Sequence, residues 1–191
     1  MKKFIILSLA NIILSACSVD ATKEDDVNSM FLNRTSMVQK HYDDEFIPKG
    51  TLFSWSPNLK GVYQDNRLNH VNMDRLLKKG IESTLVKKGY QFTENSESAS
   101  YMVTYTAALK SALSDDEVLQ IFGAHPGLVP RGKLDQKVEK GTLIVDVVNQ
   151  KTGRLHWRSI GQALARLGEI PQQHRDQRME QFIDFLLSDL H

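Results

Sequence analysis

The chain has a single cysteine, Cys17, among 191 residues, so no disulfide can form within it and the fold must be held by its core. It has no apolar run of the roughly twenty residues needed to span a bilayer as a helix; Phe4 to Leu14 is almost unbroken but only about eleven long. It has no excess of charge, with 24 Lys and Arg against 23 Asp and Glu, which excludes the clustered basic surplus of a nucleic-acid footprint. Its six histidines, at 41, 70, 125, 156, 174 and 191, form no HxH or HxxxH pair, so no metal-ligand spacing is present. There is no G-x-S-x-G elbow, phosphate-binding glycine loop or dinucleotide fingerprint. The expectation is a non-enzymatic protein without metal or cofactor.

The N-terminus carries an ordered set of signals. Lys2 and Lys3 precede the apolar run, and the small residues Ser15 and Ala16 precede Cys17, which is the layout of an export signal. Leu14-Ser15-Ala16-Cys17 resembles the lipobox of bacterial lipoproteins. That resemblance implies cleavage between Ala16 and Cys17 and acylation of Cys17, the covalent lipid being the one non-protein group expected. Each buried methylene contributes about 0.8 kcal/mol, so two or more chains hold a protein on a membrane effectively permanently. Ser18 follows the cysteine where many such lipoproteins retained in the inner membrane carry an aspartate, so the resemblance implies sorting to the outer membrane, with the periplasmic side favoured and the leaflet undetermined. Loss of Lys2 and Lys3 leaves 22 basic against 23 acidic residues, a nearly neutral mature chain.

Three segments follow: residues 1–16 as signal peptide, residues 17–40 as acylated Cys17 and polar tether, and residues 41–191 as one domain of a size suited to a single core. Within the domain, "TLFSWSP" has strand alternation, and a weak strand precedes it near Met37 to Tyr42. "NMDRLLKKGIESTLVKKGY" has helix punctuation. Asn72 suits the N-cap, Asp74 and Lys87 and Lys88 complement the dipole, and Gly89 suits the closing left-handed turn. Leu77, Ile81 and Leu85 form its apolar stripe, joined by Leu76 and Val86, and Gly80 in its middle permits close packing.

"YQF" and "YMVTYTAAL" read as strands, the latter with Tyr101, Val103, Tyr105 and Leu109 on one face. "GTLIVDVVN" and "RLHWRSIGQALA" form a hairpin through "QKTG", with Asp146 opposite Arg158 as a cross-strand pair and with His156 and Arg158 on the face away from Trp157. Trp55 and Trp157 are expected in the core. After Pro171 a last helix carries Met179, Phe182, Ile183, Leu186, Leu187 and Leu190 at helical spacing. The predicted class is α+β: an antiparallel sheet of four to five strands with two amphipathic helices packed on one face.

These segments, "TLFSWSP", the helix ending "VKKGYQF", "YMVTY" and above all "KGTLIVDVVNQKTGRLHWRS", resemble the bacterial lipoprotein family known as domain of unknown function 4136, from about Tyr42 to the C-terminus. The resemblance implies an exported, anchored α+β domain and brings with it no reaction and no catalytic residue.

Between the strands at 101 and 141 lies "DEVLQIFGAHPGLVPRGKLDQKVEK", far longer than a hairpin needs. Ser114 and Glu117 make a capping box for a short helix at its start. Beyond it, apolar residues alternate with Gly and Pro, a composition suited to reversible contact or to folding back on the sheet. Phe122, His125, Leu128, Val129 and Arg131 are the candidate contact residues for an envelope protein partner. Two functions follow: a lipid-anchored envelope protein that binds a protein partner or supports outer-membrane maintenance, and, second, a carrier or sensor of a small apolar ligand held between sheet and helices.

Overall fold

The computed structural model describes residues 34–63, 65–68, 71–130 and 134–191. Ala16, Cys17, the signal peptide, most of the tether and Arg131 lie outside the described residues.

Among the described residues, seven strands and three α-helices make up the domain. The strands are β1 (Thr35–His41), β2 (Leu52–Trp55), β3 (Gly61–Val62), β4 (Gln91–Phe92), β5 (Tyr101–Leu109), β6 (Val138–Asn149) and β7 (Leu155–Arg166). The helices are α1 (Met73–Lys87), α2 (Asp115–Phe122) and α3 (Gln172–Leu186), with short 3-10 turns at Asn66–Leu68 and Ser96–Ser98. The sheet order is β1-β7-β6-β5-β2-β4, with β3 also paired to β5.

The class is α+β, but the sheet is mixed rather than antiparallel and has more strands than expected. β1, β7, β6 and β5 pair antiparallel, whereas β2 and β3 run parallel to β5 and β4 runs parallel to β2. The reason is connectivity: α1 stands between β2 and β5, and a helix crossover returns the chain in the same direction where a hairpin would reverse it. β3 and β4 are two residues each, too short to show alternation. The boundary at residue 41 also moves, because Thr35–His41 pairs along its whole length with Trp157–Ala163 of β7 and so belongs to the sheet edge, not to a tether.

The local chemistry of α1 follows its sequence closely. Asn72 caps its start by accepting from the Arg75 N–H at 3.0 Å, and Gly89 takes φ +93° just beyond Lys88. Leu77, Ile81 and Leu85 are buried, with Thr84 beside them. Val86, placed on that stripe from sequence, points out instead and is 53 % exposed, since one position past Leu85 rotates by about 100° around the helix axis.

α1 and α3 lie together on one face of the sheet. Thr84 Oγ1 donates to Asp184 Oδ1 at 2.6 Å, and Lys87 pairs with Glu180. A Cβ on Gly80 would fall 2.4 Å from Ile183 Cδ1, so the missing side chain lets the helices approach. Beneath them are packed Phe53, Tyr101, Val103, Tyr105, Val145, Val147 and Trp157, joined from α3 and its continuation by Ile183, Leu186, Leu187 and Leu190. Trp157 is fully buried, and Trp55 packs against this core at the sheet edge, 5.8 Å from the Tyr105 ring. The Tyr105 hydroxyl donates to Asp74 Oδ1, tying the sheet to the first turn of α1; burial together with that carboxylate pushes the phenol up, and the hydrogen bond holds Asp74 below the usual carboxylate range.

The third helix makes the second correction to the expected layering. α2 and the chain after it cover the opposite face, where Val118 packs with Ala108, Leu113, Ile144 and Ile160. These alternate along β5, β6 and β7 with the residues facing α1 and α3, as strand geometry requires.

Candidate functional site

The hairpin of β6 and β7 organises both faces. Gly153 turns it with φ +66°, and the expected Asp146–Arg158 pair forms in bidentate geometry, Nε to Oδ1 and Nη2 to Oδ2 each at 2.6 Å. Burial pushes the Arg158 guanidinium down, but the Asp146 carboxylate outweighs it and the net shift is upward. A β-bulge lies between Val147 and Val148, opposite Leu155 and Trp157, and His156 is the extra residue. That irregularity overturns its expected orientation. Its ring is fully buried beside Tyr101, centroid to centroid 5.0 Å, on the same side as Trp157. Asp43 Oδ1 comes within 2.6 Å of His156 Nδ1 at an angle outside hydrogen-bond geometry.

The long segment after β5 folds onto the sheet. Ser114 and Glu117 form the expected capping box, and Gly123 closes α2 at φ +79°. Beyond it, the Leu128 N–H donates to Gln162 Oε1 at 2.9 Å, while Gln162 Nε2 donates to Asp115 Oδ1 at 2.8 Å. Lys140 Nζ, almost wholly buried, donates to Asp115 Oδ2 at 2.5 Å and to the Leu128 carbonyl at 3.1 Å. Burial acts to raise Asp115, yet the hydrogen bonds from Lys140 and Gln162 hold its carboxyl below the usual range. Ser36 of β1 donates to the Pro126 carbonyl at 2.7 Å.

Of the candidate contact residues, Leu128 is therefore buried, and Phe122 is half-buried with the Arg158 guanidinium 5.1 Å from its ring centre. His125 and Val129 face solvent, Val129 at 75 % exposure. Ile121 and Leu119 on the outer side of α2 are exposed as well.

A cleft of about 350 Å³ opens between the sheet and the helix layer, within the range of small-molecule sites. Its position has a plain cause. At one end the helix-facing side of the sheet carries Trp157, Val147 and Tyr105; at the other the corresponding positions are Ala107, Gly141, Ala163 and Ala165. Small residues on the floor leave the space that large ones fill elsewhere. Val62, Leu77, Met179, Phe182 and Phe185 form apolar walls, and Thr35 of β1 stands at the rim.

The charged residues lining the cleft are Arg166, Arg175 and Arg178. Arg175 donates to the Ile170 carbonyl and Arg178 to the Leu164 carbonyl, each at 3.1 Å. Burial pushes the Arg178 guanidinium down, and the charge of Arg166 adds to that shift. Sequence reasoning passed over these residues, though a signal was there: Arg175 precedes Met179 and Phe182, and Arg178 precedes Phe182 and Phe185, at helical spacing, so both lie beside the apolar stripe.

Tertiary structure also assembles residues that sequence spacing kept apart. His41 on β1 and Asp189 and His191 after α3 bring their ligand atoms within 4.8 Å of one another, on the surface, and these three could hold a metal ion. His41 Nε2 and Asp189 Oδ2 are 3.1 Å apart. Among the described residues no helix is long and apolar enough to cross a membrane.

Residues 38–190 match the family described as domain of unknown function (DUF4136). No curated protein matches the chain's sequence. Among solved structures, PelC from Paraburkholderia phytofirmans, a dodecamer, is similar at 12 % identity and a TM-score of 0.48, covering 82 % of this chain and 97 % of that one. A DUF4136 family protein from Bacteroides thetaiotaomicron is similar at 13 % identity and a TM-score of 0.45, covering 81 % and 94 %.

Proposed function

The chain belongs to the DUF4136 family, and we propose that it is a lipid-anchored, non-enzymatic protein of the bacterial outer membrane, facing the periplasm, that holds an apolar ligand between its sheet and its helices. The anchor rests on the signal and lipobox residues ending at Cys17. The ligand reading is carried by one observation, the cleft over Ala107, Gly141, Ala163 and Ala165. A folded domain packs its interior to high density, so an apolar space of this size under two helices is unusual unless something occupies it.

The test is native mass spectrometry of the chain released gently from membranes, beside Ala163→Phe, which fills the floor. A bound lipid mass at one per chain, lost in the filled variant, is the expected result. Identical spectra with no adduct on either protein would end the carrier reading.

A protein partner is the second reading, favoured by Leu119, Ile121 and Val129, which stand exposed on the outer side of α2 and the chain after it. A photo-crosslinking residue at Ile121 or Val129 in the anchored protein would capture one discrete envelope protein if that surface docks; only self-crosslinks would remove it.

A further inference from the structure

The histidines are scattered along the chain, yet the fold brings two of them to one place. His41 ends β1, and Asp189, 148 residues away from it, follows α3 together with His191. The two imidazole rings tilt against each other with centroids 5.1 Å apart, and the Phe46 ring lies 5.7 Å from that of His191. Asp189 reaches both: His41 Nε2 is 3.1 Å from its Oδ2, and His191 Nδ1 is 3.8 Å from its Oδ1.

The backbone that carries these three side chains is held by the core. His41 pairs with the fully buried Trp157 of β7, and Leu190, between Asp189 and His191, is almost wholly buried. Gln39 Nε2 donates to the Leu186 carbonyl at 2.8 Å and Lys88 Nζ to the Ser188 carbonyl at 3.1 Å. Both β1 and the end of α1 thus grip the turn that presents Asp189. The Asp189 carbonyl, 2.7 Å from His191 Nδ1, orients that ring. Donors placed in this way spare a bound ion much of the cost of ordering them.

We propose that His41, Asp189 and His191 bind one divalent transition-metal ion of the zinc type. Donors about 2.0–2.2 Å from a tetrahedral ion stand roughly 3.4 Å from one another. The three donor atoms here lie within 4.8 Å of one another, and the imidazole-to-carboxylate distances of 3.1 and 3.8 Å bracket the required spacing. Asp189 and His191 are exposed, so rotation of their side chains can close the remainder. Two imidazole nitrogens and one carboxylate suit zinc-like ions and not Ca²⁺ or Mg²⁺, which take oxygen donors. Three protein donors leave a fourth position open to water. The ion clips the edge strand β1 to the chain after α3, segments that meet only on folding, so its binding adds to stability. None of the three residues lines the cleft, and the site stands whether or not the cleft holds a ligand.

The test is calorimetric titration of ZnCl₂ into the chain purified from membranes in detergent, stripped of metal and free of any histidine tag. The variants are His41→Ala, Asp189→Asn and His191→Ala, with His174→Ala as control, an exposed histidine outside the cluster. One Zn²⁺ per chain is expected, with affinity unchanged in the control. Each of the three variants should bind at least about tenfold more weakly, since loss of even an outer-shell partner costs about 10–100-fold. Zn²⁺ should also raise the thermal midpoint of the unsubstituted chain and the control, and leave the three variants where they were. Should His41→Ala lower the metal-free midpoint, Asp189→Asn and His191→Ala, both at exposed positions, carry the comparison. No uptake by the unsubstituted chain, equal Zn²⁺ affinity in every variant, or equal affinity for Ca²⁺ would overturn the site.

Discussion

On the helix face Phe53, Tyr105, Trp157 and Ile183 are buried side by side, whereas on the loop face the buried apolar set is Ala108, Leu113, Val118, Ile144 and Ile160, with Lys140 and Gln162 buried among them. The first face is held by area. Large side chains there remove enough apolar surface from water to fix two helices. The second has too little apolar area to orient a long irregular segment, so hydrogen bonds linking Lys140 and Gln162 with Asp115 and Leu128 set its path. The difference teaches that a connection rich in Gly and Pro can be a layer of the domain when buried polar groups give it fixed partners.

The comparison breaks if Trp157→Ala is mild. It should cost about 3–5 kcal/mol in urea unfolding, the largest effect expected, because it empties the middle of the helix face. On the loop face the costs should be asymmetric. Asp115→Ala leaves a buried ammonium without its counter-charge and should cost about 3 kcal/mol, whereas Lys140→Met leaves a carboxylate that can reach water and should cost about 1 kcal/mol. Equal costs would mean that charge does not hold this face. Gly161→Ala sharpens the contrast from the other side: its Cβ would lie 2.5 Å from Leu186 Cδ1 and 2.9 Å from Phe182 Cζ, so those two α3 side chains must give way, at a cost of about 2 kcal/mol.

Acid should act through the depressed carboxylates. Asp115 and Glu139 are held low although burial alone would raise them, Asp74 is held low by Tyr105, and the hydrogen bond from Arg67 takes Asp65 to about 2. A carboxyl depressed on folding adds stability above its unfolded value near 4 and loses it as the pH falls through the folded value. The thermal midpoint should thus hold at neutral pH and drop from about pH 5 toward pH 2, less steeply in Asp115→Asn. A profile unchanged by that substitution would remove Asp115 from the account. The smallest effect expected is Ser114→Ala, which removes the cap of α2 and should cost about 1 kcal/mol by the same unfolding assay.

Much of this was legible in the sequence wherever the cause is local. The limits of α1 follow from Asn72 and Gly89, the start of α2 from Ser114 and Glu117, and the Asp146–Arg158 pair from the two-residue period of a hairpin whose turn was visible in "QKTG". The direction of β2 relative to β5 was not legible, because periodicity says which way side chains alternate and nothing of which strand will lie alongside. His156 was misplaced because a bulge shifts the alternation by one residue and leaves no mark in composition. The candidate site divides the same way. Phe122, His125, Leu128 and Val129 were candidate contact residues of one loop, but the fold buries Leu128 and exposes Val129, while the arginines of the cleft stood beside an apolar stripe whose partner surface was unknown.

By itself the sequence determined the absence of a disulfide within the chain, the helices and the long antiparallel hairpin, since each depends on contacts within a few residues or on residue type alone. Only the tertiary structure decided that the sheet is mixed, that the long segment forms its second cover, that His41 meets Asp189 and His191, and that small residues from three strands lie under arginines from β7 and α3. Those outcomes join positions up to 150 residues apart, and which of them meet is set by packing the whole chain at once.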